Sequence, residues 1–102
     1  MHPIFEERMP ELHELCRRFH VERLALFGSA AGEGFDPSRS DLDFLVEYLP
    51  EAKREYPDVY FDLKAGLETL FGRPADLVMT RAIRNSYFRE EVEETKVGLY
   101  AA

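Results

Sequence analysis

The stretch from Leu24 to Tyr48, LALFGSAAGEGFDPSRSDLDFLVEY, decides how this chain folds. It opens with an apolar run that stops at Gly28-Ser29, which predicts a buried strand followed by a sharp turn. A polar, turn-rich segment follows, and Asp41-Leu42-Asp43 then leads into a second apolar run. Because side chains alternate along a strand, a second strand over residues 41–49 would open with both carboxylates on one face.

The flanking segments predict helices and further strands. Apolar residues recur at helical spacing over residues 4–19, and Pro10 predicts a break there, with the firm helix over 9–19. Pro57 and Gly72 bound a predicted helix over 57–71. The remaining predictions are strands over 21–27, 75–79 and 97–100, helical turns within 29–34 and 81–84, a loop over 35–40, and a helix capped by Asn85 and ending near Thr95, with Phe88 and Val92 facing inward.

Helices therefore interleave with strands along the chain. This order predicts an α/β or α+β fold, with helices packed on one face of a small sheet. We expect residues 1–102 to form a single domain, because 102 residues with 45% hydrophobic content can bury one core.

Composition narrows the classes of function. A net charge of −7 argues against direct nucleic-acid binding, which needs a basic surface, and favours a protein or small-molecule partner. No apolar run approaches the ~20 residues of a membrane span, and we find no signal peptide. The single cysteine, Cys16, excludes an internal disulfide and is expected to be buried on a helix, so we predict a cytoplasmic location without membrane contact.

Asp41 and Asp43 form the first candidate site. Carboxylates at alternate strand positions point the same way, roughly 6–7 Å apart, and repel each other unless a cation or solvent intervenes. Oxygen ligands in this arrangement suit Mg²⁺. Taken alone, the Asp-x-Asp pattern is better explained as two exposed acids at a strand edge.

Asp76 adds a third carboxylate. It lies at the start of a short apolar strand, where aspartate is uncommon. If its strand neighbours that of Asp43, the three carboxylates could hold two metal ions; the equal alternative is a strand-end aspartate that caps a loop.

Gly28-Ser29 is the candidate phosphate site. Glycine allows close backbone approach, and a helix N-terminus offers free N–H groups to phosphate, with the Ser29 hydroxyl as a further donor. The simpler alternative is that Ser29 is an ordinary N-cap. A P-loop is excluded, because the glycine is not followed by a Gly-Lys-Ser/Thr sequence.

Together these motifs resemble the nucleotidyltransferase superfamily that includes DNA polymerase β, most closely its minimal nucleotidyltransferase (MNT) branch. The resemblance implies the mixed sheet of the polymerase β-like fold. The residues that carry it span nearly the whole chain: Leu26-Phe27-Gly28-Ser29-Ala30-Ala31, Phe35-Asp36-Pro37, Ser40-Asp41-Leu42-Asp43-Phe44-Leu45-Val46, Gly72-Arg73-Pro74-Ala75-Asp76-Leu77-Val78, Ile83-Arg84-Asn85 and Val97-Gly98-Leu99-Tyr100.

The resemblance implies roles for the five candidate residues. Gly28 and Ser29 would hold the β- and γ-phosphates of a nucleoside triphosphate, with ATP expected. Asp41 and Asp43 would ligate two Mg²⁺ ions. Asp76 would share one ion and help to deprotonate the attacking hydroxyl.

The resemblance also implies a partner. Minimal chains of this branch resemble the antitoxin of HEPN/MNT toxin–antitoxin pairs, which binds a HEPN ribonuclease and can silence it by transferring AMP to a tyrosine. A homodimer through helix faces that carry Leu and Phe is a further possibility. An aminoglycoside-type small-molecule transferase ranks last, since such enzymes usually need more chain to enclose the acceptor.

One departure from the family pattern motivates an alternative. Many members have Arg-Gly-Glu after the alanine equivalent to Ala31, whereas this chain has Gly32-Glu33-Gly34 and lacks the arginine. Loss of a cation near the triphosphate would weaken nucleotide binding. Arg39 could substitute in part, although it is better explained as a solvated loop arginine. The alternative is an antitoxin that masks its partner stoichiometrically, with weak or lost catalysis.

Overall fold

A computed structural model describes residues 2–32, 36, 41–52 and 58–102. Within them, four strands form one mixed sheet in the order β3-β2-β1-β4. The central strand β1 is antiparallel to β2 and β4, whereas β2 is parallel to β3. This confirms the predicted α+β fold with a small mixed sheet. The strands are β1 (Val21–Phe27), β2 (Leu42–Tyr48), β3 (Ala75–Met79) and β4 (Val97–Ala101).

Helix boundaries follow local signals. Pro10 occupies the first turn of the second helix, so the predicted break is confirmed. Gly72 ends the third helix with a positive φ of 67°, and the Asn85 side chain accepts a hydrogen bond from the Phe88 N–H at 3.1 Å. The helices are α1 (Pro3–Glu7), α2 (Met9–Arg18), α3 (Val59–Phe71) and α4 (Ser86–Thr95), with 3₁₀ turns at Gly28–Ala31 and Thr80–Ala82.

Some sequence predictions lie outside the described residues. These are the Pro57 helix start, the predicted loop except for Asp36, and the Glu33-Gly34 and Arg39 positions. Among the described helices, none combines the length and apolarity that crossing a bilayer requires.

The main core lies on one face of the sheet. Helices α1, α2 and α3 contribute buried side chains that pack against alternate residues of β1 and β2, including Leu24, Leu26 and Phe44. The Phe71 ring of α3 lies 5.3 Å from that of Phe5 and 6.1 Å from that of Phe44, measured between centroids. This aromatic cluster fixes the C-terminal end of α3 against the sheet, just before the chain enters β3.

The opposite face carries a smaller cluster. Ala25 and Phe27 of β1 and Leu45 of β2 pack there with Ile83 and Val92. The expected packing of helices on one face therefore holds for α1–α3, whereas α4 contributes Val92 to the other face. The reason is that β1 has apolar side chains on both faces, and both need cover.

We predict that the Cys16 thiol is unreactive in the folded protein. It is fully buried, and this burial raises its pKa to about 12 despite the opposing charge of Arg17. Because the thiolate is the reactive form, Ellman's reagent at pH 8 is expected to label Cys16 only on unfolding. Equal labelling rates in native buffer and in concentrated guanidinium chloride would contradict this.

Gly66 of α3 lets Leu15 of α2 approach closely. A Cβ at position 66 would lie 2.7 Å from Leu15 Cδ1, so alanine there gains about 1 kcal/mol of helix propensity but forces Leu15 to move. We therefore expect the change in unfolding free energy caused by Gly66→Ala to be more stabilising by at least about 1 kcal/mol in a Leu15→Ala background than in the parent. Urea denaturation of the four proteins tests this coupling, and additive effects of the two changes would disprove it.

Candidate active site

Strand register brings two of the predicted carboxylates together. Asp43 of β2 pairs with Asp76 of β3 in the parallel ladder and with Phe27 of β1 in the antiparallel one. Because strand side chains alternate, Asp43 lies on the same face as Leu45, which packs in the cluster with α4. Asp43, Asp76 and the Gly28 turn after β1 therefore meet at one edge of the sheet, on the α4 face.

Gly28 lies directly against Asp43. A Cβ built on Gly28 would be 2.5 Å from Asp43 Oδ2, closer than real Cβ atoms come. Gly28 also has φ of +68°, in the left-handed region that glycine adopts at little cost. Glycine is required here both by the backbone turn and by the space that the Asp43 carboxylate occupies.

The pKa of Asp43 is perturbed. Partial burial is the largest cause that raises its pKa above the usual 3.8, followed by repulsion from Asp76 and then from Asp41. A carboxylate whose pKa is shifted by burial and by two like charges, beside a cavity, is typical of functional sites.

Asp41 lies apart from this pair. It precedes the first residue of β2 and is exposed, although its charge reaches Asp43. In residues 2–32, 36, 41–52 and 58–102, no group of three or more His, Cys, Asp or Glu side chains is arranged as a metal site. Strand register thus places Asp43 beside Asp76, whereas Asp41 is related to Asp43 only through the repulsion between their charges.

Two hydrogen bonds position Asp76. The Glu68 carboxylate of α3 accepts a bond from the backbone N–H of Ala75 at 2.9 Å, and the Pro74 carbonyl accepts one from the Leu42 N–H at 3.1 Å. These contacts tie the start of β3 to α3 and to β2. The two residues that precede Asp76 are therefore held by α3 and by β2.

Ser29 lies at the second position of the 3₁₀ turn that follows β1, and it is exposed. The N-cap of this turn is Phe27 rather than Ser29, so the structure does not favour the simple N-cap alternative. The side chain remains available at the site edge, next to Gly28.

A cavity of about 620 Å³ opens beside Gly28 and Asp43. Its other wall is α4, which sequence reasoning assigned only to the core. Phe88 was predicted to face inward but is 41% exposed, which corrects that prediction. The helical spacing of positions 88, 91, 92 and 95 is the signal that could have revealed this wall. The α4 residues that line the cavity are Phe88, Glu91, Val92 and Thr95.

A larger cavity, of about 780 Å³, lies at the other end of β2, around Tyr48 and Thr80. None of the five predicted site residues lines it. The cavity beside Asp43 is the better candidate, because it combines a perturbed carboxylate with the close-packed Gly28 turn.

The donor set fits a hard divalent cation. Carboxylate oxygens are preferred by Mg²⁺, and a cation would oppose both effects that raise the Asp43 pKa, which are burial and the repulsion from Asp76 and Asp41. Asp43 and Asp76 supply such oxygens at paired strand positions, whereas Asp41 precedes β2 and acts on Asp43 through its charge.

Comparison with known proteins adds independent findings. Residues 11–99 match the nucleotidyltransferase domain family. A Methanocaldococcus jannaschii protein named "putative protein adenylyltransferase MJ0128" is 37% identical over 82 residues, which cover 78% of each chain. A solved structure described as a "putative minimal nucleotidyltransferase" superposes with a TM-score of 0.72 and 30% identity, covering 90% of this chain and 89% of that one.

A more distant structure shares the fold. This structure is the complex of a tri-AMPylated Shewanella oneidensis HEPN toxin with an MNT antitoxin. The superposition has a TM-score of 0.61 and 17% sequence identity. The match covers 96% of this chain and 73% of that one.

Proposed function

Because this chain belongs to the nucleotidyltransferase family and is of its minimal type, we propose that it transfers AMP from ATP to a hydroxyl group of a partner protein. The observation that carries the proposal is the register pairing of Asp43 with Asp76 beside the Gly28 turn. The adenylyltransferase name of the M. jannaschii relative supports a protein acceptor.

The turn after β1 would bind the triphosphate. Gly28 presents backbone without a side chain, and Ser29 adds an exposed hydroxyl that can donate to a phosphate oxygen. These two residues would hold the β- and γ-phosphates. The α-phosphorus would then lie toward Asp43, at the open mouth of the cavity.

The carboxylates would organise the transfer. The acceptor hydroxyl oxygen attacks the α-phosphorus, a new P–O bond forms, the bond between the α-phosphorus and the bridging oxygen breaks, and pyrophosphate leaves. The exposed carboxylate of Asp76 would take the hydroxyl proton. Two Mg²⁺ ions held by Asp41, Asp43 and Asp76 would neutralise charge on the attacking and leaving oxygens.

The partner that fits best is a HEPN-type toxin, which makes this chain the antitoxin of a pair. The AMPylated S. oneidensis toxin bound to an antitoxin of this fold supports that assignment. The net charge of −7 also suits a protein surface better than nucleic acid. The reaction would proceed in the cytoplasm, where ATP and Mg²⁺ are abundant.

We expect the protein to transfer radiolabel from [α-³²P]ATP to the product of the adjacent gene when Mg²⁺ is present. Asp41→Ala combined with Asp43→Ala should abolish transfer, because these carboxylates are proposed to hold the ions. Asp62→Ala, an exposed aspartate of α3, is the matched control and should transfer normally. No labelling by the parent protein, or labelling that survives the double change, would refute the proposal.

Stoichiometric masking is the alternative, motivated by the Gly32-Glu33 sequence. Gly32 is exposed at the cavity wall, whereas Glu33 lies outside the described residues. If the double aspartate variant still protects cells from the toxin at equal expression, masking is the mechanism. If protection disappears while the complex persists, catalysis is required.

A further inference from the structure

Phe88 is an aromatic side chain that the core does not cover. It remains 41% exposed, although its ring lies 6.0 Å from the Phe27 ring, centroid to centroid, at an interplanar angle of 73°. Phe27 itself is only 7% exposed. This edge-to-face contact orients the Phe88 ring, while much of its surface stays open beside the cavity that Gly28 and Asp43 also line.

The α4 wall of the cavity does not suit phosphate. Glu91 lines it with a carboxylate, and Thr95 uses its hydroxyl to donate to the Glu91 backbone carbonyl at 2.6 Å. The last turn of α4 carries no basic residue, and the C-terminal end of a helix is electronegative. Anionic groups are therefore disfavoured at this wall of the cavity.

The cavity thus has two chemically different walls. One carries the backbone of Gly28 and Gly32 and the Asp43 carboxylate, which is proposed to hold Mg²⁺, and the other offers an aromatic ring, an apolar Val92 and hydrogen-bond acceptors. A nucleotide has the same division, with a charged phosphate end and an uncharged end that presents a flat base and hydroxyl donors. The cavity volume of about 620 Å³ lies within the usual range for such ligands.

We propose that Phe88 is the stacking platform for the nucleobase of the triphosphate, and that it selects purines over pyrimidines through their larger ring face. This inference rests on the proposed nucleotidyl transfer, and it adds a specificity residue on α4. Because stacking does not recognise base edges, ATP and GTP should bind with similar affinity, and CTP more weakly.

The test compares ligands that share the phosphate chain. Isothermal titration calorimetry with Mg²⁺ measures binding of ATP, CTP and inorganic tripolyphosphate, which has no base. Phe88→Leu keeps an apolar contact with Phe27 but removes the flat ring. We expect it to weaken ATP binding about tenfold and to leave tripolyphosphate binding unchanged.

Tyr87→Leu provides the matched control. Tyr87 is the preceding residue of α4, is 83% exposed and does not line the cavity, so its change should leave all three affinities unaltered. Unchanged tripolyphosphate binding also shows that a Phe88 variant has folded.

The possible outcomes distinguish failure of the stacking role from failure of the proposed nucleotidyl transfer. If the parent binds tripolyphosphate but binds ATP no more tightly, or if Phe88→Leu weakens both ligands equally, the stacking role is overturned while the phosphate site stands. If the parent binds neither ligand, the proposed function fails and takes this inference with it. A preference for ATP over CTP that disappears in Phe88→Leu supports it.

Discussion

Asp43→Asn is expected to reduce nucleotidyl transfer on the order of a thousandfold while making the metal-free protein more stable. The loss follows because the neutral amide cannot replace a carboxylate proposed to hold the ions, an electrostatic contribution of several kcal/mol to the barrier. The gain follows because the Asp43 carboxylate is partly buried and is repelled by Asp76 and Asp41.

The pH dependence of stability should show the same effect. The Asp43 pKa is raised in the folded state, so the folded protein binds a proton more tightly than the unfolded chain does. The contribution of this group to stability is therefore present below the unfolded pKa of 3.8, and it is lost as pH rises through the folded pKa. In the Asp43→Asn variant, this part of the loss of stability with rising pH should be absent.

Thermal unfolding in EDTA, followed over pH, measures both effects. For a domain of this size, each kcal/mol of stability shifts Tm by about 4–8 °C. Asp76→Asn is the informative comparison, since Asp76 is exposed: it removes one source of repulsion but leaves the burial of Asp43, so its stability gain should be smaller. An Asp43→Asn protein with parental activity, or with a lower Tm at neutral pH, would contradict the prediction.

Local sequence signals predicted much of the fold. The Asn85 cap, the Gly72 helix end and the break at Pro10 each act within a few residues, so their physical effect can be inferred without knowing the rest of the structure. Alternation in β2 likewise predicted that Asp43 lies on the face opposite Phe44.

Register could not be predicted from such signals. Asp41 and Asp43 are equivalent by alternation, and only the pairing of β1 with β2 shows that Asp43, not Asp41, lies against the Gly28 turn. The pairing of Asp43 with Asp76 was a conditional prediction for the same reason. Strand pairing depends on contacts between residues distant in sequence, which no local pattern specifies.

The inward position of Phe88 was predicted wrongly. Helical periodicity shows which face of α4 is apolar, but it does not show whether other side chains pack over every residue of that face. Val92 does reach the second-face cluster and is only 2% exposed. Phe88, one turn earlier, lies over the cavity instead. A helix that covers only a small cluster cannot bury its whole apolar stripe, and the part left uncovered here is the part beside the candidate site.

Gly28→Ala is expected to reduce activity about a hundredfold while costing little more stability than the same change at Gly72. Both glycines have nearly equal positive φ values, 68° and 67°, so alanine at either position carries a backbone cost of about 1–2 kcal/mol. They differ in what the new Cβ meets. At Gly72 nothing lies within 4 Å, whereas at Gly28 the Cβ would be 2.5 Å from Asp43 Oδ2.

The Asp43 carboxylate is the end of a short side chain, so it can rotate away from this Cβ at modest cost to folding. The same rotation removes it from its place between the Gly28 turn and Asp76. Because misplacing a reacting group by about 1 Å can cost about a hundredfold in rate, the effect should appear in kcat rather than in the unfolding free energy.

Urea denaturation and initial rates of transfer, measured on the parent and both variants, separate the two effects. Similar losses of stability with activity lost only in Gly28→Ala would mean that the turn after β1 is glycine because it leaves room for a working carboxylate. Equal activity losses in both variants would instead attribute the effect to backbone strain, and Gly28 would then have no special relation to Asp43. The matched φ values make this pair decisive, since the backbone cost cancels and only the contact with Asp43 remains.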